Sequence, residues 1–142
     1  MSKALRLGRA IACAAVLLAG AAAPALAAVP DFFGSWYAPG PVRGVTRIDV
    51  RRVGAQVFVR VWGSCQPTDC DWGEAPGQPF APEVDAPTWS TADVIMAEFD
   101  TPAEHTTVLL RTNNGGLFYQ TFTRFQDGSA RSDYRQYGRL NH

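Results

Sequence analysis

The 142-residue sequence contains 13 Lys and Arg residues and 13 Asp and Glu residues, which gives a formal net charge of zero at pH 7. This length suits one domain with one modest core. Beyond residue 27 the chain holds ten arginines, no lysine and thirteen acidic residues. It therefore lacks the clustered basic surface of nucleic-acid-binding proteins, and we expect no nucleic-acid partner.

The N-terminus has the pattern of a cleavable secretory signal peptide. Three basic residues precede an apolar run at residues 10–23, which ends in the small-residue triplet Ala25-Leu26-Ala27. This order predicts cleavage after Ala27. A membrane anchor is disfavoured because the run has about 14 residues, whereas a spanning helix needs about 20. We therefore predict a signal peptide at 1–27, one domain at 28–142, a secreted or periplasmic location and no membrane-spanning segment.

Strand patterns dominate the remaining chain, and helical patterns are absent. A first strand is predicted at Phe33–Tyr37. Val45–Val53 alternates apolar with charged residues, as a half-buried strand does. Gln56–Trp62 alternates in the same way, and Gly54 lies between the two runs. These two segments predict a hairpin.

A connection rich in proline and glycine follows, from Ser64 to about Thr88. Proline removes a backbone donor from the sheet ladder, so we expect no central strand here. A short edge strand near Phe80 remains compatible with this composition.

Four further segments continue the strand pattern: Ala92–Asp100, His105–Thr112, Leu117–Phe125 and Ala130–Leu140. The Asn-Asn-Gly-Gly sequence at 113–116 suits a tight hairpin turn. Seven or eight sequential strands on mostly short turns predict an all-β antiparallel meander. Such a meander can close into a small β-barrel, and a two-sheet sandwich is the alternative.

Two cysteines remain after signal cleavage, Cys65 and Cys70. In an oxidising compartment we expect them to form a disulfide. Half of a zinc site is the alternative, but no second Cys or His pair completes four ligands. We predict no metal and no cofactor.

The first predicted strand carries Gly34-Ser35-Trp36, which resembles the G-x-W signature of the calycin superfamily of β-barrels. The resemblance implies that Trp36 closes one end of a calycin-like barrel, stacked under an arginine of the last strand. Arg135 and Arg139 are the candidates, so Gly34, Trp36 and Arg135 receive structural roles.

Two longer blocks resemble small exported bacterial proteins of unknown function. They are W-G-S-C-Q-P-T-D-C-D-W-G at 62–73 and T-R-F-Q-D-G-S-A-R-S-D-Y at 123–134. The first block is similar to a W-G-x-C-x-P-x-D-C-D-W-G signature in those proteins. This resemblance supports the fold and the location more than a role.

The first block has two interpretations. A rigid recognition loop would present Trp62, Asp69, Asp71 and Trp72, since aromatic faces beside carboxylates suit a sugar, a peptide or a cation. Alternatively, both tryptophans plug the barrel end while the aspartates accept backbone N–H bonds within the turn. A calcium site formed with Glu74 is a third possibility, although the EF-hand spacing is absent.

Candidate catalytic residues are few. Ser90, Asp93 and His105 supply the residue types of a triad, but no spacing places them together. Glu98 and Asp100 fall on one strand face and are interpreted as ordinary surface. We therefore predict no enzymatic activity.

The function predicted from the sequence is an exported, non-enzymatic β-barrel that binds a small ligand or an extracytoplasmic protein through the barrel mouth and the disulfide loop. An inhibitor of a secreted protease is one alternative, with Ala28 to Phe32 as a protruding N-terminal segment. A structural envelope protein is the other. A filled interior would favour these alternatives, and an open aromatic cavity would favour a small ligand.

Overall fold

Every strand of the described chain, residues 27–142 of a computed structural model, pairs antiparallel with the next, and the ring closes into a barrel. The predicted all-β meander is confirmed, as a barrel of eight strands. The strands are β1 (Gly34–Tyr37), β2 (Val45–Val53), β3 (Gln56–Gly63), β4 (Cys70–Phe80), β5 (Val94–Asp100), β6 (Glu104–Asn113), β7 (Gly116–Phe125) and β8 (Tyr134–Asn141). Residues 1–26, most of the predicted signal peptide, lie outside the described residues.

The alternation seen in the sequence decides which side chains fill the barrel. Val57, Val59 and Val61 of β3 are buried, whereas Phe58 and Arg60 point outward. Each of the eight strands contributes at least one buried hydrophobic side chain to the same core: Trp36, Ile48, Val59, Ala75, Ile95, Val108, Leu117 and Leu140. The interior is therefore packed with aliphatic and aromatic side chains.

The expectation that residues 64–88 contain no central strand is wrong, because β4 pairs with both β3 and β5. Its prolines nevertheless sit where only one neighbour is paired. Pro76 faces β3 before the β5 ladder begins, and Pro79 faces β5 after the β3 ladder has ended. The two ladders share only Gly77. Each proline thus has a free edge on one side, where a missing N–H costs little.

Two short helical turns close one end of the barrel, hereafter the closed end. A 3-10 turn at Val29–Phe32 precedes β1, and α1 (Thr88–Thr91) lies in the β4–β5 connection. Val29 and Phe32 are fully buried. The expectation that residues 28–32 protrude is therefore wrong, because Val29 and Phe32 are part of the core. Within residues 27–142 no helix is long and apolar enough to cross a membrane.

The barrel closes through a very short seam between β1 and β8. These strands pair at one position, Tyr37 with Asn141, because β1 ends there and the chain leaves in a loop at 38–44. β8 pairs along its whole length with β7 on its other side. The opposite end of the barrel, where the β3–β4 and β5–β6 connections meet, is called the mouth below.

Candidate functional site

The predicted disulfide between Cys65 and Cys70 is present, with the two Cα atoms 5.4 Å apart. Cys70 begins β4 and pairs with Gly63 at the end of β3. The bond therefore closes the β3–β4 loop at the mouth, where the sequence placed it.

The two tryptophans of the motif occupy different environments. Trp72 is partly buried and packs on the core, with its ring edge-on to Phe99 at 6.2 Å. A methyl group at Gly63 would lie 2.9 Å from its indole nitrogen, so the ring fills the mouth over that glycine. Trp62 lies on the outer surface, with the guanidinium groups of Arg47 and Arg60 4.3 and 5.1 Å from its ring centre. Trp72 thus fits the plug interpretation and Trp62 does not.

The acidic residues of the motif each have a partner within the protein. The Thr46 hydroxyl donates to Asp69 at 2.7 Å. Asp71 accepts hydrogen bonds from Arg60 and from the Gly73 N–H, and both lower the pKa of its carboxyl.

Glu74 does not join these aspartates in a common site. It pairs with Arg51, whose hydrogen bonds hold the pKa of Glu74 below its usual value. Within residues 27–142 no three His, Cys, Asp or Glu side chains are placed to hold a metal ion. The carboxylates of the calcium hypothesis point at separate hydrogen-bond donors.

Trp36 closes the barrel end opposite to the mouth, as the G-x-W resemblance implied, but none of the arginines in residues 27–142 covers it. Its indole Nε1–H donates to the Phe32 carbonyl at 2.8 Å, and its ring lies against that of His142, 3.6 Å between centroids. Arg135 and Arg139 are exposed on the outside of β8. The arginine prediction is wrong because Arg135 and Arg139 occupy the alternate positions of β8 whose side chains point out of the barrel.

The residue types of a catalytic triad are spread over the two ends of the barrel. Ser90 lies in α1 at the closed end, with Asp93 directly before β5. His105 lies at the mouth, near the start of β6, where it pairs with Asp100 of β5. Its imidazole is 2.6 Å from the Asp100 carboxylate. The structure brings no nucleophile, base and acid together from this set.

A different surface stands out on the outside of β6, β7 and β8, called here the β6–β8 face. It is formed by the outward side chains Leu109, Arg111, Phe118, Gln120, Phe122, Arg135, Tyr137 and Arg139. A groove of about 610 Å³ runs over its closed-end half. Tyr137 is 74% exposed and Phe118 is 39% exposed. Large aromatic side chains therefore face solvent here.

The register arranges this face in rows across the three strands. Arg111, Phe118 and Arg139 form one row, because Phe118 pairs with each of the two arginines. The next row contains Leu109, Gln120 and Tyr137 by the same pairing. Aromatic, aliphatic and cationic groups thus share one continuous patch.

The arginines of this face differ from those on the outside of β2, β3 and β4, called here the β2–β4 face, which includes Arg47, Arg51, Phe58 and Arg60. There Arg47, Arg51 and Arg60 each pair with a carboxylate. On the β6–β8 face Arg111 approaches Asp93 only to 4.0 Å. Among the described residues no carboxylate forms an ion pair with the other two arginines of this face, Arg135 and Arg139, and the Arg139 guanidinium lies 5.5 Å from the Phe118 ring centre.

Sequence reasoning missed this surface. A signal was present, since Leu117–Phe125 carries aromatic residues on both faces of one strand, Tyr119 inward and Phe118 and Phe122 outward. A strand with one face in water normally alternates apolar with polar residues. Phe118 and Phe122 at outward positions therefore depart from the pattern of an ordinary solvated strand face.

Comparison of the chain with protein-family models, with curated proteins and with solved structures found no match. The resemblances to calycins and to small exported bacterial proteins therefore remain predictions. The eight-stranded antiparallel barrel is what the structure establishes.

Proposed function

We propose that this protein is an exported, non-enzymatic binding module that engages an extracytoplasmic protein through the β6–β8 face. The observation that carries the proposal is the groove of about 610 Å³, in which exposed Phe118 and Tyr137 lie beside Arg111 and Arg139. Aromatic residues and arginine dominate the binding energy of protein interfaces. Exposed apolar patches on small soluble proteins commonly mark such interaction sites.

The packing of the barrel supports a surface site over an internal one. Side chains from all eight strands fill the interior. The cavity at the mouth, lined by Asp71, Trp72, Phe99 and Glu104 among others, measures about 170 Å³. Small-molecule pockets usually have about 300–1,000 Å³. The groove on the outer face falls within this range, whereas the cavity at the mouth falls below it.

The location outside the cytoplasm is supported by chemistry as well as by the N-terminal pattern. The Cys65–Cys70 disulfide belongs in an oxidising compartment. The protease-inhibitor alternative loses its main support, because the segment expected to protrude packs into the core at Val29 and Phe32.

Site-specific photo-crosslinking in the native host tests this function. The photoreactive amino acid p-benzoylphenylalanine replaces Tyr137 or Phe118 in separate strains, and irradiated cells are analysed for adducts of this protein. We expect a discrete adduct at both positions. The same probe in place of Phe58, an outward residue of the β2–β4 face covered by Arg51, is the matched control.

The outcome separates the alternatives by position. Adducts at Tyr137 and Phe118 with none at Phe58 support the proposal. Equal labelling at all three positions, or none at any, contradicts a binding site on the β6–β8 face. An adduct confined to Phe58 assigns the partner to the other side of the barrel.

A further inference from the structure

Acidic and basic residues are distributed unevenly over the barrel. The strands β7 and β8 contain three arginines, Arg124, Arg135 and Arg139, and neither strand contains Asp or Glu. All thirteen acidic residues of the sequence therefore lie in other elements. Since only ten arginines and no lysine balance them beyond residue 27, the chain is acidic as a whole and cationic on these two strands.

Two rows of the β6–β8 face repeat the same pair of residues. Phe118 is directly opposite Arg139, and Phe122 is directly opposite Arg135. The two phenylalanines are four residues apart on β7, as are the two arginines on β8, so the pairs are separated by about 13 Å along the strands. Tyr137 lies midway between the arginines and is exposed. The face thus presents two similar cationic positions on either side of an aromatic side chain.

Each Phe–Arg pair borders a groove. The pair at the closed end lines the groove of about 610 Å³, and the pair at the mouth end lines a second groove of about 360 Å³ together with Arg124. One carboxylate lines the second groove, that of Asp133, and it accepts a hydrogen bond from the Phe125 N–H at 3.1 Å. Side chains of a partner can therefore enter the face at two places, and both are bordered by arginine.

This charge distribution disfavours a second copy of the chain as the occupant. A two-fold contact between two such faces, centred on Tyr137, would bring arginine-bearing strands together with no acidic residue in β7 or β8 of either copy. Like charges brought together in an interface weaken it. Carboxylates have the opposite effect, because a guanidinium group can donate two parallel hydrogen bonds to one carboxylate.

We infer that the occupant of the β6–β8 face is an acidic surface of the partner protein, with carboxylates at two places about 13 Å apart and apolar side chains between them. The carboxylates meet Arg135 and Arg139, and the apolar side chains pack on Tyr137. Because the rest of the chain is acidic, its charge repels such a partner elsewhere and orients it toward this face. This inference rests on the proposed function and names the chemistry of its partner.

The photo-adduct formed by p-benzoylphenylalanine at Tyr137 in the native host reports the occupancy of the face. Gln120 is directly opposite Tyr137 and carries no charge, so either sign of charge can be introduced there without breaking an ion pair. Gln120→Glu should give about threefold less adduct than Gln120→Lys, relative to the amount of exported chain. Equal yields from these two variants contradict the acidic partner.

Charge reversal at the arginines locates the contact. Arg135→Glu and Arg139→Glu should each lower the adduct yield about threefold to tenfold, because an attractive contact becomes repulsive. Arg52→Glu is the matched control, since it reverses one exposed charge at the end of β2 and should leave the yield unchanged. Equal loss with Arg52→Glu contradicts the inference.

The adduct also supplies the partner for a charge exchange. Mass spectrometry of the adduct identifies the crosslinked segment of the partner, and we expect Asp or Glu residues in its neighbourhood. Lysine in place of one such residue should lower the yield with the unmodified chain and restore it with Arg135→Glu or Arg139→Glu. A merely structural role of the arginines would not produce this restoration. Its absence for every acidic residue around the crosslink contradicts the inference.

Two other occupants predict different results. The purified oxidised chain 28–142 should not co-sediment with vesicles of phosphatidylglycerol and phosphatidylethanolamine at about 0.15 M salt, where exposed charges are screened beyond about 8 Å. Sedimentation that Arg135→Glu and Arg139→Glu abolish would assign the face to an anionic membrane surface and overturn the acidic protein. An adduct with twice the mass of this chain would assign the face to a second copy and overturn it as well.

The two proposals fail in different ways. If photo-adducts form at Tyr137 and their yield is the same in the Gln120, Arg135 and Arg139 variants, the binding face stands and the acidic partner is wrong. If no adduct forms at Tyr137 or Phe118, the proposed function itself is wrong.

Discussion

The imidazole ring of His142 lies on the indole of Trp36, with the ring centroids 3.6 Å apart and the ring planes inclined by 33°. A methyl group at Gly34 would come within 2.7 Å of the imidazole, so that glycine gives the ring its space. Trp36 in turn donates its indole N–H to the Phe32 carbonyl. The last residue of the sequence, the first strand and the 3-10 turn are thus joined at the closed end.

This arrangement predicts a graded loss of stability. Trp36→Ala should lower the free energy of unfolding by about 3–5 kcal/mol, as for other buried aromatic residues. Trp36→Phe keeps a ring but loses the hydrogen bond to Phe32, and should cost about 1–3 kcal/mol. His142→Ala should cost about 0.5–1.5 kcal/mol through the lost ring contact.

Urea unfolding followed by tryptophan fluorescence measures these differences. Asn141→Ala is the matched control for His142→Ala, because Asn141 is exposed and adjacent in sequence. If Trp36→Ala unfolds at the same urea concentration as the unmodified chain, Trp36 does not close the barrel.

Composition and alternation predicted most of this fold, because burial on one strand face leaves a period of two in the sequence. The hairpin of β2 and β3 and the disulfide were predicted at their observed positions. β4 was missed because the cost of proline depends on which edge is paired, and pairing is a property of the sheet. Pro76 and Pro79 show this, since each sits opposite only one neighbour.

The candidate site was harder to predict, because it depends on contacts between distant residues. Trp62 and Trp72 have the same residue type in one motif, yet one is outside and the other is at the mouth. A register shift between Arg60 and Trp62 and the positive φ of Gly73 change which residues face inward. Likewise, only the register places Phe118 between Arg111 and Arg139.

The disulfide should stabilise the β3–β4 loop without deciding the fold. Because the ring between Cys65 and Cys70 is short, replacement of both residues by serine should lower the free energy of unfolding by about 2 kcal/mol. Non-reducing mass spectrometry of the unmodified protein should find both cysteines linked. Alkylation of both thiols in the absence of reductant would contradict the bond.

The turn between β7 and β8 should respond to acid. Asp127 accepts hydrogen bonds from Ser129 and Arg131, and these lower the pKa of its carboxyl from 3.8 to about 2. A lowered pKa stabilises the folded state above pH 3.8, and this contribution is lost as the pH falls through 2. We therefore expect the turn to loosen in that interval.

Carboxyl carbon chemical shifts measured by NMR between pH 6 and pH 1.5 test this directly. Ser129→Ala should raise the pKa of Asp127 toward its ordinary value, because Ser129 supplies the larger effect. Ser90→Ala, a change at the other end of the barrel, is the control. A midpoint near 3.8 in the unmodified chain would show that the hydrogen bonds of Asp127 are absent in solution.

Processing in the native host should produce a chain that begins at Ala28. The predicted cleavage site lies one residue before Val29, which is fully buried together with Phe32. Cleavage after Ala27 keeps this 3-10 turn, whereas a chain that began at Phe33 would lose two core side chains. Mass spectrometry of the exported protein identifies the first residue. Recovery of the exported form with Met1 intact contradicts cleavage by a signal peptidase.

The two tryptophans of the disulfide motif should differ in their contribution to stability. Trp72 packs on Phe99 and covers Gly63, so Trp72→Ala should cost about 3 kcal/mol, near the value for Trp36→Ala. Trp62 lies outside under two arginines, and Trp62→Ala should cost about 1–2 kcal/mol through lost cation–π contacts. Gly63→Ala should also destabilise the protein, because its methyl group would meet the Trp72 ring.

Thermal unfolding of these three variants at one pH and protein concentration decides between the interpretations of the motif. If the Trp72→Ala protein melts at the same temperature as the unmodified chain, the Trp72 ring of the unmodified chain is exposed at the mouth, which would restore the recognition loop as a ligand site. A melting temperature near that of Trp36→Ala assigns Trp72 to the core. In that case the loop shapes the mouth and is not a recognition site, and the β6–β8 face remains the proposed binding site.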